Sequence, residues 1–438
     1  MQRRLLDKLN TWKEAPQRKP ILLDGARQTG KSYLLEQLFG QQFSQVVRID
    51  FLEHPSYSAL FSDSLSPDDI LANIELSLNV SIDKSATLII FDEIGECQAA
   101  INSLKFFAEQ CPEMFICASG SNIGLLGSFP VGKVELFHLS PLTFEEFLWA
   151  SQQPALTKAF EQINMSSIAH DKLFSLLTDY YYVGGMPEAV SQWFNSRETS
   201  GILERTQQIS QIHTSLIAGY ERDFGKYSGK VSAQHIQEVF KHVPTQLAKN
   251  IDDSVKRFKF KDVIEKKNRY QELAGPINYL EKCKLVSKCH PIESQPTSPL
   301  PALAKDNYFK LFFFDIGLLG HMLNITYKEH QDQRLNYKGY IAENFVQNEL
   351  VANDHKPTYS WEHARAEIEF VIKAQNGDII PVEVKSGKRT RAKSLASYVQ
   401  RYQPTKTLKL IGSTGSLDDP KALVAPLYYA GKIGELVD

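Results

Sequence analysis

Cysteine is scarce in this 438-residue chain, and what there is does not cluster. Cys97, Cys111, Cys117, Cys283 and Cys289 make an odd number, and no C-x-x-C occurs, so neither a disulfide framework nor a zinc site is expected. A reducing, cytoplasmic compartment is the matching expectation. Long apolar runs are also lacking. The best candidate, residues 309–323, carries Lys310, Asp315 and His321, and no stretch approaches the ~20 apolar residues of a membrane span. No membrane partner is expected. Met1 to Leu6 opens like a signal peptide, but Asp7 and Lys8 end its apolar run at once. An excess of either charge is missing: the formal net charge is −2, which excludes a globally basic coat and confines any nucleic-acid surface to a local patch. Internal repeats and low-complexity tracts are absent. The Ser/Pro-rich piece Ser294-Gln295-Pro296-Thr297-Ser298-Pro299 reads as a surface loop.

What is present is ordinary core-forming material, 42% hydrophobic and 23% charged. The length predicts about three domains at ~150 residues each. One stretch organises the rest: Gly25-Ala26-Arg27-Gln28-Thr29-Gly30-Lys31-Ser32 fits G-x-x-x-x-G-K-[ST] at every fixed position. Pro20 to Asp24 before it is short and apolar, as a buried strand is. Tyr33 to Phe39 after it is apolar at helical spacing and stopped by Gly40. Strand, glycine-rich loop and helix are the context a phosphate-binding loop requires, since backbone N–H groups and the helix N-terminus then face the phosphates. Lys31 would reach the β- and γ-phosphates of ATP, and the Ser32 hydroxyl would bind Mg²⁺.

Val46 to Asp50 reads as a second strand, and a later apolar strand, Ala86 to Phe91, ends in Asp92-Glu93. Paired with the loop, this predicts Asp92 as a Mg²⁺ ligand through water and Glu93 as the residue that orients or activates the attacking water. A further strand, Met114 to Ala118, runs into Ser119-Gly120-Ser121-Asn122. Ser121 or Asn122 is either a γ-phosphate sensor or part of a capping turn. The segment Val134 to Phe147 reads as a strand turning into a helix through Pro141-Leu142-Thr143-Phe144-Glu145-Glu146-Phe147.

Together these motifs resemble the prokaryotic AAA+/STAND-type P-loop ATPases, in the branch with a C-terminal PD-(D/E)xK nuclease-like domain long catalogued as of unknown function. The resemblance implies a cofactor-binding set of Gly25, Ala26, Arg27, Gln28, Thr29, Gly30, Lys31 and Ser32, joined by Ser121. It also implies that Gly184-Gly185-Met186-Pro187 is the turn bringing a helical lid to the nucleotide, with Pro187 fixing it. One departure stands out. The family has a Gly-Arg pair just before the strand leading to the Pro-Leu-x-Phe segment, whereas this chain has Gly132-Lys133, and no arginine lies between Ser119 and Lys133. Lysine lacks the bidentate fork of an arginine finger, so slow turnover is the expectation.

The middle of the chain resembles a winged helix. Ser232 would cap a helix ending near Val243, Pro244 would begin another, and Asn268 to Cys283 a third with Tyr270, Leu273, Ile277 and Leu280 on one face. Leu285 to Lys288 and Tyr308 to Phe313 would form wing strands around the Ser/Pro loop. Lys256, Arg257, Lys259, Lys261, Lys266, Lys267 and Arg269 make a local basic cluster suited to DNA phosphates, or a solvated face diluted by Asp252, Asp253, Asp262 and Glu265.

Near the end, a helix around Glu343 precedes strands at residues 358–361, 366–372 and 379–387. Alternation puts Glu383 and Lys385 on one face, and a hairpin would bring Glu369 beside Glu383. Two carboxylates suit Mg²⁺ or Mn²⁺, and a lysine can hold the attacking water or neutralise phosphate charge. This layout resembles the PD-(D/E)xK site, with Glu343 matching its helix carboxylate and Glu369 standing where the family has aspartate. Lys388, Arg389, Arg391 and Lys393 follow, where a phosphate backbone would lie.

The expected architecture is therefore α/β: a P-loop ATPase core at 1–145, a helical lid at 146–230, a winged-helix-like region at 231–308 and a restriction-endonuclease-like α/β domain at 309–438. The expected activity is ATP hydrolysis (Lys31, Glu93) controlling a DNA-engaging C-terminal half, with metal-dependent cleavage by Glu383 and Lys385. The alternative is a nucleotide switch that binds DNA or a protein partner, or a second copy of itself, without cutting. A small-molecule kinase fits less well, since it leaves the C-terminal half without a purpose.

Overall fold

Runs such as Thr87-Leu88-Ile89-Ile90-Phe91 are apolar on both faces, and only a strand covered on both sides tolerates that. The computed structural model, which describes residues 1–121, 123–125, 129–228, 230–249, 257–332, 338–387 and 393–438 (backbone alone for 226–228, 230–231 and 338), builds a five-stranded parallel sheet from these runs. Its strands are β1 (Ile21–Asp24), β2 (Gln45–Asp50), β3 (Thr87–Asp92), β4 (Phe115–Gly120) and β5 (Glu135–His138), in the order β2-β3-β4-β1-β5. The three inner strands are buried throughout, while edge strands β2 and β5 are partly exposed. Alternation sorts the core into two layers. Ile21, Leu23, Leu88, Ile90 and Cys117 face Leu9, Trp12, Leu34 and Phe39 on one side; Leu22, Ile89, Phe91, Ile116 and Ala118 face Ile70, Ile101 and Leu104 on the other. Because β4 lies between β1 and β3, the loops after β1, β3 and β4 open side by side at the carboxyl edge of the sheet.

The chain divides into two compact units, 2–140 with 282–284 and 141–281 with 285–438. The second unit begins with helices from Phe144–Ala150 to Ile202–Ser228, then Lys230–Lys249 and Tyr270–Lys282. Its seven-stranded sheet contains β6 (Val286–Ile292), β7 (Lys310–Phe313), β8 (Thr358–His363), β9 (Ala366–Lys373), β10 (Ile379–Lys385), β11 (Thr407–Ile411) and β12 (Ala422–Pro426), in the order β12-β11-β10-β9-β8-β6-β7.

Two expectations change here. Pro244 does not separate two helices: one helix runs from Lys230 to Lys249 through it. The reason is an apolar stripe, Ile236, Val239, Phe240, Val243 and Leu247, that continues past the proline and stays buried, outweighing the lost backbone hydrogen bond. The strands expected as a wing do pair antiparallel, Val286 with Phe313 through Cys289 with Lys310. But β6 also pairs in parallel with β8, Cys289 opposite Thr358, so both strands belong to the large sheet and not to a separate wing. Val286, Cys289 and Ile292 are buried, and the second neighbour completes the hydrogen bonding of that covered strand. All five cysteines are buried and none is in a disulfide. No described helix is long and apolar enough to cross a membrane.

Candidate functional site

The loop after β1 takes its shape from two glycines. Gly25 has φ +155° and Gly30 φ +89°, and a Cβ at Gly25 would be driven into the Leu139 carbonyl oxygen. Thr29 is buried and donates from Oγ1 to the Ala26 carbonyl at 2.9 Å. Lys31 opens the helix that follows. Its Nζ folds back to donate to the carbonyls of Gly25 (3.1 Å) and Ala26 (2.9 Å), which centres the ammonium over the loop. Burial pushes the Lys31 ammonium below its ordinary pKa, while Glu93, Asp92 and Asp24 hold it up. Arg3, also buried, donates to Thr29 O (2.8 Å) and Ser140 O (2.6 Å), tying the loop to the segment after β5.

Asp92 ends β3 and is buried. Glu93 N donates to its Oδ1 at 3.1 Å, and the Ser119 hydroxyl donates to the same oxygen. Arg48 donates to Oδ2 from Nε (3.0 Å) and Nη2 (2.7 Å). Burial alone would raise the Asp92 pKa, but hydrogen bonds from Ser119, Ser32 and Arg48 bring it below the usual carboxylate range. Ser32 thus acts on Asp92 at close range, which puts the two residues expected to hold Mg²⁺ side by side, and two hard oxygen donors fit that ion. Glu93 sits at φ +48°, and its carboxyl is raised by burial, with Lys31 opposing. Ser121 donates to Glu93 Oε2 at 3.4 Å and accepts from Arg27 Nε at 3.3 Å. Asn122 lies outside the described residues. Lys133, where the resemblance expects arginine, is paired with Glu109 at 2.7 Å on the surface.

The structure thus brings together Lys31, Ser32, Asp92, Glu93, Arg27 and Ser121. Sequence reasoning missed Arg3, Arg48 and Ser119. Arg48 lies two residues before Asp50 at a strand end, but its partner is on another strand, and only the sheet order reveals it.

In the second unit, the β9–β10 hairpin brings Glu369 and Glu383 to Lys385, as the alternation predicts. Lys385 Nζ lies 3.1 Å from Glu369 Oε1 and 2.7 Å from Glu383 Oε1. Val384 N donates to Glu369 Oε2 at 3.0 Å. Glu383 Oε2 is buried and has no hydrogen-bond partner. Burial and the neighbouring Glu383 push Glu369 up to about 8, against Lys385. Burial also raises Glu383; it acts to lower Lys385, but the two carboxylates outweigh it and raise that ammonium. Glu343, on the helix Lys338–Ala352, accepts from the buried Lys310 at 3.3 Å, and Lys310 also pairs with Glu367 at 2.5 Å. Lys310 and Glu367 escaped the sequence reading because the lysine comes from β7, far back in the chain. Among the described residues no group of three or more His, Cys, Asp or Glu is placed to hold a metal. Both Glu369 oxygens are engaged, by Lys385 and Val384 N, which leaves Glu383 Oε2 as the one carboxylate oxygen of the pair without a hydrogen-bond partner. Lys388, Arg389 and Arg391 lie outside the described residues, as do Lys256, Asp252 and Asp253; Arg257, Lys259, Lys261, Lys266 and Arg269 are exposed.

The Gly184-Gly185 turn belongs to this second unit. Leu142 N donates to Gly185 O (2.7 Å), Tyr180 Oη donates to Leu142 O (2.6 Å), and Gly185 N donates to Asp315 Oδ2 (2.7 Å). A Cβ on Gly184 would strike the Asp315 carboxylate, and one on Gly185 the Leu142 carbonyl. Close approach to those two residues accounts for both glycines. Pro187 opens the helix Pro187–Asn195.

No curated protein matches the chain. Among solved structures, the Drosophila ORC bound to DNA is similar at 12% identity and a TM-score of 0.28, covering 73% of this chain and 84% of that one. The C. elegans PCH-2 structure is similar at 14% identity and a TM-score of 0.27, covering 43% of this chain and 58% of that one. Families described as domains of unknown function, DUF8612 and DUF4143, match residues 175–329 and 338–428. A family described as an AAA domain matches residues 17–148, the segment that holds Lys31, Ser32, Asp92 and Glu93, and the parallel sheet of the first unit fits a P-loop AAA-like domain.

Proposed function

We propose that this chain is a nucleotide-driven switch: the first unit binds and hydrolyses ATP with Mg²⁺, and the second engages DNA according to nucleotide state. The observation that carries the reading is the convergence of Lys31, Ser32, Asp92 and Glu93 at one edge of the parallel sheet, where Lys31 feels both carboxylates and Ser32 helps to hold the Asp92 carboxyl below its usual range. Loop N–H groups and Lys31 bind the β- and γ-phosphates. Mg²⁺, held by Ser32 and through Asp92, supplies charge neutralisation. Glu93, raised by burial, accepts the proton of the attacking water, and Ser121 steers its carboxylate. The test is fluorescent-nucleotide binding and phosphate release. Lys31→Ala is expected to lose binding, while Glu93→Gln binds but turns over at least about a hundredfold more slowly. Unchanged turnover in Glu93→Gln refutes the assignment.

A second reading concerns the C-terminal cluster. The buried, unpartnered Glu383 Oε2 beside Lys385 supports a metal-assisted phosphodiester cleavage site, with Glu369 as co-ligand and Glu343 close by. The exposed basic residues from Arg257 to Arg269 would carry the phosphate backbone. Lys385 resting on both carboxylates favours the alternative, a scaffold that binds DNA or protein without cutting. Plasmid cleavage with Mn²⁺, compared in Glu383→Ala and Lys385→Ala, separates them: cleavage lost in both supports the nuclease, and cleavage absent from the wild type supports the scaffold.

A further inference from the structure

The nucleotide site contains a charge arrangement that nothing in its motifs requires. Strands β2 and β3 are in register, Asp50 opposite Asp92. Two carboxylates directly across a parallel pair repel. Arg48, two residues before Asp50 and so on its face, spans them. Its Nη2 lies 2.5 Å from Asp50 Oδ2 and 2.7 Å from Asp92 Oδ2, with Nε adding a 3.0 Å bond to the latter. The other two oxygens are taken as well: Asp50 Oδ1 accepts from Leu52 N and Glu53 N, both at 2.9 Å, and Asp92 Oδ1 accepts from Glu93 N and Ser119. All four carboxylate oxygens are therefore committed, and the two that face each other are committed to Arg48. A facing pair of carboxylates without the guanidinium is a good oxygen site for a hard divalent ion.

We propose that Arg48 is a positioning residue that acts as a built-in counter-ion for Asp92: it holds the carboxylate toward Ser32 and keeps a free divalent cation from occupying the Asp50–Asp92 pair, so that metal enters with the nucleotide phosphates. The inference rests on the ATPase reading above, but its test needs no nucleotide. Mn²⁺ is titrated into the full chain without nucleotide and followed by its paramagnetic resonance signal. Arg48→Gln is expected to gain a site at least about tenfold tighter than any wild-type binding that depends on Asp92, from the loss of one positive charge next to the ion. Arg48→Gln/Asp92→Asn returns to the wild-type curve, which separates this site from the carboxylates of the second unit. Arg48→Lys keeps the charge but not the fork, and falls between the two. Should Arg48→Gln not fold, Arg48→Lys against Arg48→Lys/Asp92→Asn makes the same comparison. A folded Arg48→Gln, or Arg48→Lys in its place, that titrates like wild type overturns the proposal, and so does a gain that survives Asp92→Asn. Failure of the ATPase reading shows separately, as wild-type nucleotide binding insensitive to Lys31→Ala.

Discussion

Replacing Asp315 by asparagine tests the least expected polar contact in the second unit. Asp315 is fully buried at the N-terminus of the helix Ile316–Met322. Its Oδ1 accepts from Leu318 N at 2.9 Å and its Oδ2 from Gly185 N at 2.7 Å, and Gly317 N is a third backbone donor. Burial still wins over these donors and raises the pKa from 3.8 to about 6. The folded state therefore holds its proton more tightly than the unfolded chain. The stabilisation is fully present below about pH 4 and is lost as pH rises through about 6. A gap of about two units amounts to about 3 kcal/mol. Asparagine does not titrate, but its amide must face one of the backbone N–H groups, leaving a buried donor unmatched at a cost of about 1–3 kcal/mol. Asp315→Asn is then clearly less stable than wild type near pH 4.5 and close to it near pH 7.5. Urea unfolding at a series of pH values, read by fluorescence of Trp149, Trp193 and Trp361 in this unit, gives the difference directly. Parallel curves for the two proteins across that range would refute the reasoning.

Three further outcomes are expected. Arg3→Ala leaves the Thr29 and Ser140 carbonyls without their charged donor, so ATP affinity falls and the first unit loses about 2–3 kcal/mol, read by nucleotide titration and thermal melting; unchanged affinity would mean the clamp does not shape the loop. Gly185→Ala forces its Cβ against Leu142 and costs about 1–3 kcal/mol in the second unit, with ATP affinity unchanged if the turn serves only internal packing; weaker ATP binding by a folded Gly185→Ala would support the lid role expected of the Gly184–Pro187 turn. Lys133→Ala breaks only a surface pair with Glu109, so stability moves by less than about 0.5 kcal/mol and turnover stays within about twofold; a large drop in turnover would make Lys133 a phosphate contact.

The readable parts of this chain were those whose cause is local. A phosphate loop needs glycine at fixed offsets, since positive φ at Gly25 and Gly30 is a property of single residues. A strand buried on both faces needs an unbroken apolar run, and Thr87 to Phe91 is one. The β9–β10 hairpin was legible for the same reason: a short turn at Gly377-Asp378 and two-residue alternation suffice to bring Glu369, Glu383 and Lys385 together.

What stayed hidden depends on which strands and helices become neighbours. Arg48 reads as an ordinary charged residue until β2 is known to lie beside β3, and Lys310 reads as an interruption of an apolar run until β7 brings it to Glu343 and Glu367. Gly184 and Gly185 show the same limit from the other side. Their sequence announces a backbone that something approaches closely, but not what approaches. That partner is Asp315, 130 positions further on, together with Leu142, 43 positions back. Leu142 follows the Ser140 carbonyl held by Arg3 by only two residues, and Arg3 also holds Thr29 in the phosphate loop. The Ser140 carbonyl is thus held by Arg3 and the Leu142 N–H by Gly185 O, with Gly185 N in turn held by Asp315. If the second unit responds to nucleotide state as proposed and the Ser140–Leu142 segment carries that response, Arg3→Ala and Asp315→Asn each abolish a nucleotide-dependent change in DNA affinity, while Lys133→Ala does not; a change that persists in both variants would refute this route.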